Sequence, residues 1–389
     1  MSALVSRKKA AKPTYIPYSC QTIGQDDIHA VVKVLKSAFI TQGPNVPEFE
    51  EALANACDAR YVVAFSSGTA ALHAAYAVAG ISPGDEVITT PITFAATANM
   101  LLAQGATPVF ADINPETGNL DAREVEKKIT KKTKAIVAVD YAGLPADLDA
   151  LRKLAKKYKL IFIEDAAHAL GATYRGRFVG AYADMAMFSF HPVKSITTGE
   201  GGAIATNSKA YYESLKMFRS HGLTKDPRKL KHMGYAAWHQ EVQMLGFNYR
   251  LTDIQAALGV SQMKKLDRFI AKRRAAARRY FKLLADVPGI KLPPRSGLNN
   301  SAWHLFVIRV EARARDRVFK SLRRAGIGVQ VHYFPVYRHP YYESLGYRDG
   351  LCPQAEAFSE SAISIPLYPT MTPQEQKKVV LELVSALAE

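Results

Sequence analysis

The sequence predicts an α/β protein: a large, mostly parallel sheet covered by helices on both faces, followed by a smaller α+β unit. Three features carry that expectation. Over the first two thirds of the chain, short apolar runs alternate with amphipathic segments, the pattern of strand–helix–strand units. After Leu251 the alternation gives way to long helical sequence dense in Arg and Lys. Strand-like pieces follow, and the chain closes on a helix with a clear start signal.

The elements follow in order. Tyr61–Phe65, Glu86–Thr90, Pro108–Ile113, Ala135–Val139 and Leu160–Glu164 are expected strands, rich in Val, Ile and Phe. Between them, helices are expected over Ala70–Ala79, Ala95–Gln104, Asp121–Ile129 and Asp147–Tyr158. Ala183–Phe190 and Gly202–Thr206 are expected as adjacent strands joined through a turn. Thr252–Ala285 is expected to be helical, with an interruption near Asp267. Trp303–Val310, Val329–Phe334 and Ala362–Ile365 are expected strands of the second unit. In the last helix Thr372 stands at the N-cap, Pro373 at N1 and Glu375 at N3, a capping box.

The chain has 389 residues, 48% hydrophobic and 22% charged, an ordinary globular composition with room for two domains. No apolar run approaches the roughly 18 residues that cross a bilayer, so no membrane partner is expected. The basic stretch Ser6–Lys12 has no apolar segment after it, as a signal peptide requires, and is expected to be a solvated tail. Cys20, Cys57 and Cys352 lie far apart and form no CxxC pair. That argues against a disulfide framework or a metal site and fits a reducing cytoplasm. The net charge of +16 admits nucleic acid, an anionic membrane surface or anionic small substrates.

In open α/β sheets, ligands bind beyond the carboxyl ends of the strands. After Tyr61–Phe65 comes Ser66-Ser67-Gly68-Thr69, a small turn opening a helix. Its free N–H groups and positive dipole end suit a phosphate, or the turn is a simple cap. After Leu160–Ile163 comes Glu164-Asp165-Ala166-Ala167-His168. A carboxylate at a buried strand end needs a cation or hydrogen bonds; a pyridinium nitrogen is one partner and a capped turn the other reading. His168 either touches the same ring or is a packed histidine. The most specific segment runs from Ser189 through Lys194 into Thr198-Gly199-Glu200-Gly201-Gly202. A lysine just past a strand end in a glycine-rich turn loses proton affinity by desolvation. It then serves as a nucleophile and proton carrier, and Ser189 can add a hydroxyl to a phosphate.

Five segments carry a resemblance over nearly the whole chain: Phe65–Leu72, Thr93–Asn99, Glu164–Gly171, Ser189–Lys194 with Glu200-Gly201-Gly202, and Gly246–Leu251 leading into Asp253–Ala257. With these, the chain from Tyr18 onward resembles the DegT/DnrJ/EryC1/StrS family of sugar aminotransferases. The resemblance implies a pyridoxal 5′-phosphate (PLP) enzyme of fold type I, aspartate-aminotransferase-like. It places a large PLP-binding α/β domain at 13–260 and a small C-terminal α+β domain at 261–389. Position by position, Lys194 matches the lysine that links to the cofactor and Asp165 the carboxylate on its ring nitrogen. His168 matches a Gln or His beside the phenolic oxygen, and Phe94 an aromatic on the ring face or, alternatively, a core residue. Gly68, Thr69 and Ser189 match the phosphate site. Asn248 matches an asparagine that reaches the phosphate of a neighbouring subunit, which implies a homodimer with shared active sites. The branch of the family that has histidine at the lysine position dehydrates sugars; Lys194 disfavours that reaction.

Within the family, Thr89–Phe94, Val139–Gly143, Ile196–Glu200 and Gln330–Tyr333 look most like the branch serving pseudaminic acid synthesis. That branch aminates a UDP-4-keto-6-deoxy-N-acetylhexosamine with L-glutamate as donor. There the sugar site is lined by Tyr18, by Ala38, Phe39, Ile40 and Thr41, and by Gln330, Val331, His332 and Tyr333. His332 and Tyr333 also admit a reading as packing between domains. Trp303–Phe306 resembles the branch that aminates a UDP-4-keto pentose. Amino-acid aminotransferases grip a carboxylate with arginine, and Arg250 or Arg338 is a candidate grip for the donor. Nucleic acid is not an expected partner. The stripe Arg268, Lys272, Arg273, Arg274, Arg278, Arg279 and Lys282 is expected to be a solvated helix face, without a recognition fold around it. A DNA-binding regulator would need a further domain, and none is expected in the seventeen residues before Tyr18.

Overall fold

In the computed structural model, which describes residues 15–232, 235 and 238–389, seven strands form the central sheet. They are β1 (Tyr61–Phe65), β2 (Glu86–Thr89), β3 (Thr107–Phe110), β4 (Thr133–Val139), β5 (Ile161–Asp165), β6 (Met185–Ser189) and β7 (Gly202–Thr206). Their spatial order is β1-β7-β6-β5-β4-β2-β3. Only β7 runs against the rest, pairing antiparallel with β1 and β6. The expectation of a mostly parallel sheet holds, and so does the pairing of the two strands around the lysine turn. The expected tail Ser6–Lys12 lies outside the described residues.

Helices cover both faces, which is why the strands read as continuous apolar runs rather than alternating ones. Side chains of β1 alternate between two cores. Val62 and Ala64 pack with Phe49 and Leu53 of the helix Asn45–Cys57, and with Phe190. Val63 and Phe65 pack with Leu72 and Tyr76 of the helix Gly68–Val78. A period of two along the strand places neighbouring residues on opposite faces.

The C-terminal sheet holds β8 (Ile290–Lys291), β9 (Phe306–Val310) and β10 (Ala362–Ile365), antiparallel throughout. Its core gathers Phe306, Ile308, Ile363 and Ile365 with Val318 and Leu322 of the helix Ala312–Arg324 and Val379 and Leu383 of the helix Pro373–Ala388. The final helix carries the expected cap: Thr372 Oγ1 accepts from the Glu375 amide at 3.1 Å, and Glu375 accepts from the Thr372 amide at 2.7 Å. Ile16 joins this core, exchanging backbone hydrogen bonds with Gly326 and Gly328. The helix Leu266–Leu283 contributes to both cores, with Phe269 and Ile270 to the first and Tyr280 and Phe281 to the second.

The helical stretch after Leu251 is interrupted as expected, at Lys264-Lys265 between Asp253–Met263 and Leu266–Leu283; Lys265 turns inward there to Asp26 and Asp27 at 2.6 and 2.7 Å. Two expectations need correction. The strand-like piece at 303 begins only at Phe306, because Trp303 adopts φ +49°, which no strand accommodates. Val329–Phe334 forms a single bridge, Gln330 to Ser364, instead of a strand. Beyond it the His332 carbonyl accepts from the Tyr141 hydroxyl, and Pro335 has no N–H to offer a ladder. No helix among the described residues is long and apolar enough to cross a membrane.

Candidate active site

The parallel strands end on one edge, and the segments singled out by sequence gather there. Val139 pairs with Asp165, and Asp165 with Met187, in the ladder. Gly202 faces both Phe65 and Ser189 across the two antiparallel pairs. The register thus brings the ends of β1, β4, β5 and β6 together.

At the end of β1, Ser67 caps the helix Gly68–Val78 by accepting from the Ala70 amide at 3.1 Å. A Cβ on Gly68 would stand 3.2 Å from Ser189 Cβ, so only glycine leaves the space between this turn and Ser189 open. Gly202 is tighter still: a Cβ there would meet the Gly68 amide and the Ser67 carbonyl at 2.6 Å. Thr69 opens the same helix.

Asp165 is buried at the end of β5 and holds two hydrogen bonds, from Thr97 Oγ1 at 2.7 Å and the Ala167 amide at 3.2 Å. Thr97 also bonds the Thr93 hydroxyl at 2.8 Å. Burial pushes the Asp165 carboxyl up, while these bonds and the nearby Lys194 pull it down. Lys194 follows β6 in a turn closed by bonds from the Thr197 hydroxyl and the Thr198 amide to the Phe190 carbonyl, at 2.9 and 3.0 Å. Gly199 takes φ +80° there. Burial lowers the Lys194 ammonium to about 8; the Arg273 charge works the same way and Asp165 opposes both.

Aromatic rings continue the cluster. His168 is buried, its Nε2 3.1 Å from the Tyr333 hydroxyl and its ring 4.3 Å from that of His304. His332 bonds Ser364 at 2.8 Å through Nδ1 and lies 5.6 Å from the Tyr18 ring. Burial, followed by the Lys194 charge, holds His332 down at about 3 and His168 well below the usual histidine range. These imidazoles are therefore neutral at physiological pH. Phe94 is 63% exposed, 6.5 Å from Tyr333, so it is not a core residue.

The remaining residues lie further out. Gln330 is exposed and Val331 half-buried. Ala38, Phe39, Ile40 and Thr41 are exposed and run beside Thr252 and Asp253, with the Ile40 carbonyl accepting from the Asp253 amide at 3.1 Å. Asn248 is exposed and Arg250 half-buried, on a segment whose Tyr249 carbonyl accepts from the Ser66 amide at 2.8 Å. No hydrogen bond among the described residues joins Ala38–Thr41, Asn248 or Arg250 to the Lys194 group. Arg338 is already held by Asp349 at 2.8 Å and Glu360 at 3.5 Å.

Sequence reasoning passed over Thr97, His304, Asp140 and Arg273. Thr97 carried a signal, its spacing of four from Thr93 before a helix, and His304 stands in the quoted Trp303–Phe306 segment. Arg273 corrects the reading of the basic helix: it is 0% exposed. Arg274 is half-buried and donates to the Ser301 carbonyl at 3.0 Å, so the solvated face covers only part of the stripe.

A buried carboxylate at a strand end, a lysine of lowered proton affinity and an open glycine–serine turn form a set that fits PLP, on the fold that PLP enzymes of type I share. Comparison with known proteins agrees. The DegT/DnrJ/EryC1/StrS aminotransferase family profile matches residues 21–384. The spore coat polysaccharide biosynthesis protein SpsC of Bacillus subtilis is 37% identical over 372 residues, 94% of this chain and 95% of that protein. The structure of Helicobacter pylori PseC, an aminotransferase of pseudaminic acid biosynthesis, superposes with a TM-score of 0.90 at 37% identity, covering 96% of this chain and all of that one. The PLP form of Spr1654 from Streptococcus pneumoniae gives 0.87 at 31% identity, with 96% and 98% covered. The fold is that of a PLP-dependent transferase of fold type I. The chain belongs to the DegT/DnrJ/EryC1/StrS aminotransferase family, as a PLP-dependent sugar aminotransferase.

Proposed function

We propose that the protein transfers the amino group of L-glutamate to the C4 keto carbon of a UDP-linked 6-deoxy-N-acetyl-L-hexosamine, the reaction of the pseudaminic acid branch. The observation that carries this reading is the ring cluster Tyr18, His332, Tyr333 and His168 beside Lys194 and Asp165. Neutral imidazoles and phenols donate and accept hydrogen bonds without attracting a carboxylate, which suits sugar hydroxyls and an N-acetyl group. A site built on such bonds discriminates strongly between stereoisomers. The similarity to PseC, whose description names that pathway, supports the same substrate.

In this reading PLP supplies an aldehyde carbon for amine attachment and a ring that accepts electrons. Lys194 would hold it covalently, Asp165 would keep its ring nitrogen protonated, and Phe94 and His168 would flank the ring. Gly68, Thr69 and Ser189 would hold the phosphate, with Asn248 of a second subunit completing that site in a homodimer. Lys194 Nζ would take the proton from Cα of glutamate and later deliver one to the sugar C4; water would release 2-oxoglutarate and leave the nitrogen in the site, and the C4 keto oxygen would depart as water. The buried Thr97 hydroxyl keeps Asp165 aimed during both transfers. Arg250 serves the donor carboxylate, since Arg338 is occupied. Ala38, Phe39, Ile40 and Thr41 join Gln330 and Val331 at the sugar rim. Three free cysteines suit a reducing cytoplasm.

The test offers the UDP-4-keto hexosamine and a UDP-4-keto pentose with glutamate and identifies products by NMR. Amination of the hexosamine is expected. If only the pentose reacts, the substrate assignment is wrong.

A further inference from the structure

Arg273 belongs to no part of the proposed chemistry, yet it is the one basic residue of the helix Leu266–Leu283 that is fully buried. Among the described residues no carboxylate lies within 4.0 Å of it. Instead one terminal nitrogen donates to the carbonyls of Trp303 and His304 at 3.3 Å and of Leu367 at 3.0 Å. The other donates to the Val193 carbonyl at 3.3 Å. Burying a guanidinium without a counterion is costly, and the adjacent Lys272 is exposed. The residue stands between Ile270, in the core of the large sheet, and Ala276, in the core of the C-terminal sheet.

Its four acceptors share a meaning. Val193 immediately precedes Lys194, and Ser19 Oγ meets the same carbonyl at 3.4 Å. The His304 ring lies 4.3 Å from that of His168, tilted by 36°, and Leu367 follows β10. One rigid fork therefore spans the lysine turn and two segments of the C-terminal unit. A lysine could not do this, since its single ammonium lacks the planar spread.

We propose that Arg273 is a positioning residue for Lys194: it fastens the lysine-bearing turn to the C-terminal unit and sets a fixed positive charge near the amine. This rests on the reading of Lys194 as the reactive amine. The charged and titratable groups around that amine are Asp165, Arg273, His168, His304, His332 and Cys20, which lines the same cavity. Burial keeps the three histidines neutral and pushes the Cys20 thiol up, which leaves Asp165 and Arg273 as the charges that compete over the lysine proton.

The experiment measures Lys194 acetylation in the full-length, cofactor-free protein against pH, by mass spectrometry, beside steady-state kinetics. In the wild type the midpoint should lie at about 8. Arg273→Gln removes the charge, so the midpoint should rise and labelling at pH 7 should fall about threefold. Arg273→Lys keeps the charge and loses the fork; it should hold the wild-type midpoint but lose about tenfold in kcat with KM unchanged. A folded Arg273→Gln variant with an unmoved midpoint overturns the proposal. If that variant does not fold, Arg273→Lys decides alone, and wild-type kcat in it overturns the proposal. A wild-type Lys194 that titrates like an exposed lysine would instead sink the underlying reading of the amine.

Discussion

Lys194 and Asp165 show how little separates an ordinary side chain from a reactive one. Burial lowers the proton affinity of the first and raises that of the second, because both charged forms lose water. In the proposed chemistry the neutral amine is the nucleophile, so the sign of the pH effect is fixed. Attachment of PLP to the cofactor-free protein should quicken about tenfold per pH unit below the midpoint, following the neutral fraction. It should level off above pH about 8, and stopped-flow absorbance reads it directly. Lys194→Ala should attach nothing covalently at any pH; attachment that survives there would point to another lysine. Both residues were legible in the sequence because each ends an apolar run and opens a short, glycine- or alanine-rich turn. Arg273 was not. In a row of seven basic residues on one helix, nothing local distinguishes the one that faces inward.

At the scale of elements, the site depends on β7 running against its neighbours. Gly202 pairs with Phe65 of β1 and Ser189 of β6, and an added Cβ there would stand 2.6 Å from the backbone of the Ser66–Thr69 turn. The clash is with backbone, which cannot swing aside as a long side chain would. Gly202→Ala should therefore cost more than about 2 kcal/mol of stability, an overpacking penalty, and weaken PLP binding. Urea unfolding and cofactor titration measure the two effects; an Ala variant with native values for both would show the turn to be pliable. Strand and helix positions were mostly readable from apolar runs and caps. Val329–Phe334 was not, because its composition suits a strand while its His332 carbonyl is claimed by the Tyr141 hydroxyl.

Across the whole molecule, two buried carboxyls contribute to the pH dependence of folding. Asp140 and Glu164 are 0% exposed. Glu164 has no hydrogen-bond partner for either oxygen, and one Asp140 oxygen has none. Burial, with the Asp165 charge, pushes Asp140 up to about 7, and burial, with the Asp140 charge, pushes Glu164 well above the carboxylate range. The folded chain therefore holds protons that the unfolded chain has released, so stability falls as pH rises from the ordinary carboxylate range through about 7. Glu164→Gln should flatten that slope, gaining more than about 1 kcal/mol on the wild type between pH 5.5 and 8.5. Urea midpoints at the two pH values test it, and parallel slopes would refute the pair's role. The homodimer reading makes its own prediction. Lys194→Ala and Asn248→Ala should each be inactive alone, while mixing and reassembling them should restore about a quarter of wild-type activity, since half the dimers would regain one intact site. Activity no better than the separate variants would place Asn248 in its own subunit's chemistry or in none.

The order of strands and helices, the turns that carry Gly68, Asp165 and Lys194, and the family were all determined by sequence, because each is encoded within a few adjacent residues. Periodicity, caps and glycine-rich turns act at short range and leave a local trace. The meeting of Tyr18, His168, His304, His332 and Tyr333, the inward turn of Arg273 and the burial of Asp140 beside Glu164 were decided only by the tertiary structure. Their partners lie far apart along the chain, and the energy that places them is the desolvation of a particular packed interior, which no single segment contains.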